Sequence, residues 1–123
     1  MELAGDKLTP IPLGDPLEVG EDVYCLAHPQ RNLFYLTQGI VSRNATVIDK
    51  NNGHVKLEME ITADYGVGSS GGPIIDNCGN LAGIVSSTFS LYADPVAGKN
   101  FQMTIKKTVP VKLIKECIIN PQK

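Results

Sequence analysis

Six short runs of strand-like pattern, each closed by a turn signal, fall between Asp22 and Thr108, and this spacing constrains the fold more than any other feature. Asp22 to Ala27 is the first run. Leu33 to Ser42 is longer and rich in β-branched and aromatic residues. In His54-Val55-Lys56-Leu57-Glu58-Met59-Glu60-Ile61 polar and apolar residues alternate, the period of a strand with one wet face. Pro73 to Asp76 and Asn80 to Ser87 flank Asn77-Cys78-Gly79 as a hairpin, Asn51-Asn52-Gly53-His54 reads as a hairpin turn, and Asn100 to Thr108 is the last run. So many strands in so short a chain predict an all-β fold, a small six-stranded antiparallel barrel.

The two ends differ from this pattern. Residues 1–21 are rich in Pro and Gly and read as a connecting segment, leaving 22–123 as the barrel domain. In the tail, Val111, Ile114 and Ile118, with Leu113 and Cys117, recur at helical spacing and predict a C-terminal helix over about 109–118. Pro110 suits its first turn, where a missing N–H costs nothing, and Thr108 is the candidate cap.

At 123 residues the chain is one domain, able to bury about two-thirds of its unfolded surface without staples. A net charge of −2 gives no reason to expect nucleic acid. No apolar run approaches the roughly 18–20 residues that span a membrane, no signal peptide opens the chain, and the compartment is left undetermined. Three cysteines, Cys25, Cys78 and Cys117, cannot all pair internally. Cys25-Leu-Ala-His28 has ligand-like spacing, but on a strand those positions point to opposite faces, so no metal or cofactor is expected. Cys78 lies in a turn, the setting of an exposed thiol.

Chemistry concentrates in Gly68-Ser69-Ser70-Gly71-Gly72-Pro73. At average glycine usage a Gly-x-Ser-Gly-Gly-Pro match arises by chance in roughly one chain in 10^4 of this length. A nucleophilic serine needs a hydroxyl on a sharp turn with backbone N–H groups free beside it, to hold the negative oxygen that develops on an attacked carbonyl. Flanking glycines permit such turns. Ser70 is the candidate nucleophile. The serine also needs a base, yet His28 and His54 are the only histidines, and neither sits in a comparable motif.

This loop resembles the nucleophile loop of trypsin-like serine peptidases, and the likeness to their HtrA/Deg branch runs through nearly the whole chain. Ile11-Pro12-Leu13-Gly14-Asp15 and Val19-Gly20-Glu21-Asp22-Val23 are similar to that branch's linker and the first strand of its second barrel. His28-Pro29 falls where those proteins carry Asn-Pro or His-Pro at a strand end, which makes His28 structural. Thr37-Gln38-Gly39-Ile40-Val41-Ser42 is similar to the next strand. The resemblance implies a Greek-key barrel, the second of a chymotrypsin-like pair, with an N-terminal barrel supplying the His and Asp of the triad. It implies an oxyanion hole from the N–H groups of Gly68 and Ser70. Ala82-Gly83-Ile84-Val85-Ser86-Ser87-Thr88 is similar to the strand walling the primary specificity pocket, whose edge pairs with substrate backbone. Ser86 would then neighbour the triad carboxylate, and Ser87 and Thr88 would offer main-chain partners to a polypeptide substrate. Ser69 stands where digestive trypsins have an aspartate and HtrA proteins usually an asparagine, so activation by an ion pair with a cut N-terminus is not available.

Asp64 leaves three alternatives open. It lies at the spacing before Ser70 where trypsin keeps the aspartate that binds Lys or Arg side chains. HtrA-like enzymes instead have small or apolar residues hereabouts and favour aliphatic side chains, and Thr88 replaces a glycine that keeps the trypsin pocket open. A purely structural Asp64 is the third. Two functions follow: the nucleophile-bearing half of a serine endopeptidase, inactive alone, or a degenerate barrel that binds extended peptides or a partner protein without catalysis. Either way a single barrel leaves a packing face bare, so a homodimer through that face is expected.

Overall fold

The computed structural model describes residues 9–119. Six strands are present: β1 (Asp22–Ala27), β2 (Tyr35–Ile48), β3 (Val55–Ile61), β4 (Pro73–Asp76), β5 (Leu81–Asp94) and β6 (Lys99–Pro110). All pairings are antiparallel, and the order β1-β2-β3-β6-β5-β4 closes on itself as a barrel because β4 also pairs with β1. The closure between β3 and β6 is short, only Met59–Ile61 against Lys106–Thr108. Beyond it the β2–β3 and β5–β6 hairpins run on past the ring.

Alternation on the strands fills the interior. Val23, Cys25 and Ala27 point inward from β1, Ile74 from β4 and Ala82 and Val85 from β5, all buried. Each large apolar side chain so buried contributes roughly 1.5–3 kcal/mol. The turns form through side chains that replace missing ladder bonds. Asp76 Oδ1 accepts from the N–H groups of Cys78 and Asn80 at 2.9 Å each, which shapes the β4–β5 hairpin. Asp49 Oδ1 and Asn52 Oδ1 do the same for Asn51 and His54 in the β2–β3 turn.

Two expectations change at the C-terminus. The helix α1 is Val111–Ile119, and Pro110 ends β6 instead of entering the first turn. Thr108 does not cap it, because it is buried and its hydroxyl donates to Met59 O at 2.6 Å. That bond ties β6 to β3 where the barrel closes. Only the start of the apolar helix face is covered: Val111 is buried, whereas Cys117 and Ile118 are exposed. At the other end, Pro12–Gly14 lie alongside the start of β5, with Leu81 N–H donating to Pro12 O at 2.8 Å and Gly14 N–H to Leu81 O at 2.9 Å. Leu17 packs against the core, so part of the connecting segment covers the barrel.

Candidate active site

The β3–β4 connection, residues 62–72, crosses the barrel end and carries Ser70. It is held from three sides. Thr62 and Ile40 exchange bonds at 3.0 and 2.8 Å, and Thr37 Oγ1 donates to Asp64 O at 2.7 Å, fixing its start to β2. Gly71 N–H donates to Val85 O and Val85 N–H to Gly72 O, fixing its end to β5. Its middle hangs on the β1–β2 connection, where Gln30 N–H donates to Val67 O at 2.8 Å.

That last bond orients the anion-binding groups. In a trans peptide the N–H points opposite to the C=O, so a Val67 carbonyl held by Gln30 turns the Gly68 N–H away from it. Gly68 has φ +98°, a conformation that side chains disfavour, and a Cβ there would come within 3.0 Å of His28 O. Among the described residues neither the Gly68 nor the Ser70 N–H takes part in a backbone hydrogen bond outside the strands. Ser70 is exposed, and its hydroxyl makes one long contact, to Ser86 O at 3.5 Å. Ser86 is the extra residue of a β-bulge, since Val85 pairs with Thr108 and Ser87 already with Lys107. Bulges of this kind re-aim a strand beside a site.

Past Ile84, β5 has no partner strand on its β4 side among the described residues, because β4 begins only at Pro73, opposite Ile84. Ser86, Ser87 and Thr88 are exposed along this open stretch next to Ser70. Neither imidazole is bonded to Ser70. His28 Nδ1 accepts from Phe34 N–H at 3.0 Å and its ring meets that of Phe34 edge-on, and His54 is exposed in the β2–β3 turn.

Asp64 is not at the bottom of a buried pocket: its side chain is 79% exposed, and its Oδ1 lies 2.9 Å from Lys106 Nζ. Two residues that the sequence reading passed over complete this corner. Tyr65 is buried, and its hydroxyl lies 2.9 Å from Ser87 O and 2.6 Å from Lys107 O, one proton shared between two carbonyls. Burial raises its pKa well above the usual phenol range, so it stays a donor. Lys106 also donates to Tyr65 O at 2.8 Å and lies 5.4 Å from the Tyr65 ring centre. The signal for Lys106 is the pair Lys106-Lys107, which breaks the alternation of β6 and so requires one of the two to turn inward. A groove of about 630 Å³ runs beside this corner, lined by Asp64, Phe101, Met103 and Lys106 among others, but not by Ser70. Among the described residues no group of three or more potential metal ligands is present.

A family profile described as "Trypsin-like peptidase domain" matches residues 1–84. The chain belongs to the trypsin-like peptidases. It is similar to the chloroplastic protease Do-like 5 of Arabidopsis thaliana, 31% identical over 121 residues, which cover 93% of this chain and 38% of the relative. Among solved structures it resembles Deg5, with 27% identity, a TM-score of 0.62 and coverage of 89% of this chain and 46% of that one. It also resembles the HtrA-type protease AlgW, solved with a decapeptide, with 26% identity, a TM-score of 0.65 and coverage of 92% and 34%. These likenesses set this trypsin-like peptidase chain in the HtrA/Deg branch, and it spans well under half the length of the curated relative it matches over 121 residues.

Proposed function

We propose that this chain is the nucleophile-bearing barrel of a serine endopeptidase, with Ser70 attacking the carbonyl of a peptide bond. The observation that carries this reading is the exposed Ser70 hydroxyl on a loop whose Gly68 and Ser70 N–H groups have no loop partner, in a trypsin-like peptidase chain. A base takes the Ser70 proton as Oγ adds to the carbonyl carbon, and the two N–H groups receive the oxygen that becomes negative. Collapse of the adduct expels the amine with that proton, and water then releases the acyl group from Ser70. A polypeptide substrate lies along the open edge of β5 at Ser86–Thr88 as an added strand. The base and its orienting carboxylate come from an N-terminal barrel, since the His28 imidazole accepts from Phe34 N–H and His54 stands exposed in the β2–β3 turn. Without them a serine hydroxyl is inert at neutral pH, and this chain alone hydrolyses peptides no faster than its oxyanion hole permits.

A second reading, a non-catalytic module that binds extended peptides, is favoured by the same open edge of β5. Fluorophosphonate treatment of the natural product, followed by intact mass, separates the two. The endopeptidase gives a species well above 13.2 kDa with one adduct on Ser70, and Ser70→Ala abolishes it. An unlabelled species of about that mass supports the binder. Ser70-dependent cleavage by the purified chain alone contradicts the need for a second barrel.

A further inference from the structure

The β1–β2 connection carries most of the backbone strain that falls outside glycine. Gln30, Arg31 and Phe34 have φ of +47°, +70° and +58°, three of the four non-glycine residues so placed among the described residues. Side chains disfavour that conformation, and it persists only where neighbouring bonds enforce it. Packing does not enforce it here, because Leu33, Phe34, Tyr35 and Leu36 are all exposed. Hydrogen bonds do. Asn32 donates to Pro29 O through its backbone N–H and its side-chain amide, both at 2.9 Å, and Phe34 N–H donates to His28 Nδ1 at 3.0 Å. The same segment touches the anion-binding turn. Gln30 N–H holds Val67 O at 2.8 Å, and His28 O lies 3.0 Å from the place a Cβ on Gly68 would take.

We propose that His28 is a positioning residue whose neutral imidazole keeps the Gly68 N–H turned outward, and that its protonation releases that N–H. This rests on the endopeptidase reading, in which the Gly68 N–H serves the oxyanion. Nδ1 accepts from Phe34 N–H only while it carries no proton itself. A proton there sets one donor against another, and Phe34 loses the bond that keeps its φ positive. The connection then relaxes, Gln30 N–H leaves Val67 O, and the Val67–Gly68 peptide is free to turn over. A turned peptide presents a carbonyl where the oxyanion needs a donor. The charged and titratable groups of the segments that meet here are Arg31 and Tyr35, both exposed, and Asp64 and Tyr65 on the 62–72 loop. Asp64 is held by Lys106 and the Tyr65 hydroxyl by the Ser87 and Lys107 carbonyls, so neither is bonded to the imidazole.

The test reads backbone amides of the isotope-labelled chain between about pH 8 and pH 5, the window in which imidazoles change charge. The amides of Gln30, Phe34 and Gly68 are expected to follow the His28 ring on one titration curve. His28→Asn puts an acceptor that takes no proton in place of Nδ1, and it should keep the pH 8 positions of those amides throughout. His54→Asn, in the β2–β3 turn, should leave the titration as it is. A product-like peptide ending in a free carboxylate, titrated in at both limits, reads the consequence. Wild type is expected to lose about tenfold in affinity at the acid limit, and His28→Asn to lose little. A His28 ring that titrates while Phe34 and Gly68 stay still overturns the proposal, as does a Gly68 titration that persists in His28→Asn. Equal loss of peptide affinity in the two proteins overturns it too. If the amide titration stands but the peptide moves neither Gly68 nor Ser70 at any pH, the endopeptidase reading fails while the coupling of His28 to Gly68 is upheld.

Discussion

Tyr65 and Ser69 share one loop and have opposite hydrogen-bonding fates, which makes them a paired probe of the site. The Tyr65 hydroxyl serves two main-chain carbonyls, whereas Ser69, 2% exposed, has a buried Oγ with no partner among the described residues. Removing a donor strands its acceptors, while removing an orphan relieves a desolvation cost. Tyr65→Phe should therefore lower stability by about 1–3 kcal/mol, and Ser69→Ala should leave it unchanged or raise it by up to about 1 kcal/mol. Urea unfolding reads both, and a Ser69→Ala variant as weak as Tyr65→Phe would mean that the serine has a partner. Cys25 supplies a second residue-scale expectation. It is fully buried, and burial pushes its thiol up to about 11 from 9.0. The folded state then holds a proton that the unfolded state releases, so stability is fully present below about pH 9 and is lost as pH rises toward 11. Tyr65 adds to the same trend at higher pH. A urea midpoint that falls between pH 8 and pH 10.5 is the expected outcome. With a disulfide dye at pH 8, Cys78 and Cys117 should react at once and Cys25 only in denaturant; three immediate equivalents would place Cys25 outside the core.

At the scale of elements, the crossing of β2 under the start of the 62–72 loop decides whether the site is held. A Cβ at Gly39 would lie 2.2 Å from Ala63 N and 2.7 Å from the Thr62 carbonyl carbon, both backbone, so no side-chain shift relieves it. Gly39→Ala should cost on the order of 2–3 kcal/mol and loosen the loop. A broadened Ser70 amide signal together with a lower melting temperature is the expected result; a variant as stable as wild type would show that the two segments do not touch. How far such elements were legible depends on where their partners lie. Asp22–Ala27 and Pro73–Asp76 have the bounds read from sequence, because turn residues punctuate both ends. β5 was expected to stop at Ser87 but runs to Asp94. The polar run Ser86-Ser87-Thr88 looks like a strand end, yet pairing with β6 carries it onward. The Thr108 cap failed for a related reason: its hydroxyl found Met59 O, a partner distant in sequence. The positive-φ turns at Gly68 and Gly71 were legible because turn geometry is local. Tyr65 and Lys106 were not, since their role arises only when β5, β6 and the loop meet.

For the whole molecule the question is what covers the β5–β6 arm. Phe89 pairs across from Ile105 and Leu91 from Met103, which puts these apolar side chains on one face, and Tyr92 meets Phe101 edge-on at 5.9 Å. Phe89, Phe101 and Met103 are more than half exposed, so the arm presents a continuous apolar surface beyond the barrel. Isolated exposed apolar residues are ordinary, but a contiguous set of aromatic and Met side chains drives association once another surface can cover it. In the chain by itself the available cover is a second copy. Light scattering on the purified chain should therefore give a mass above 13.2 kDa that rises with concentration. Phe101→Lys together with Met103→Lys puts two cations on that surface without touching the barrel core, and it should return the particle to monomer mass with an unchanged far-ultraviolet spectrum. A wild-type monomer at millimolar concentration would mean that the arm is satisfied on its own. Association that survives the double variant would move the contact to another face, with the exposed Leu33, Phe34 and Leu36 of the β1–β2 connection and start of β2 next to be charged.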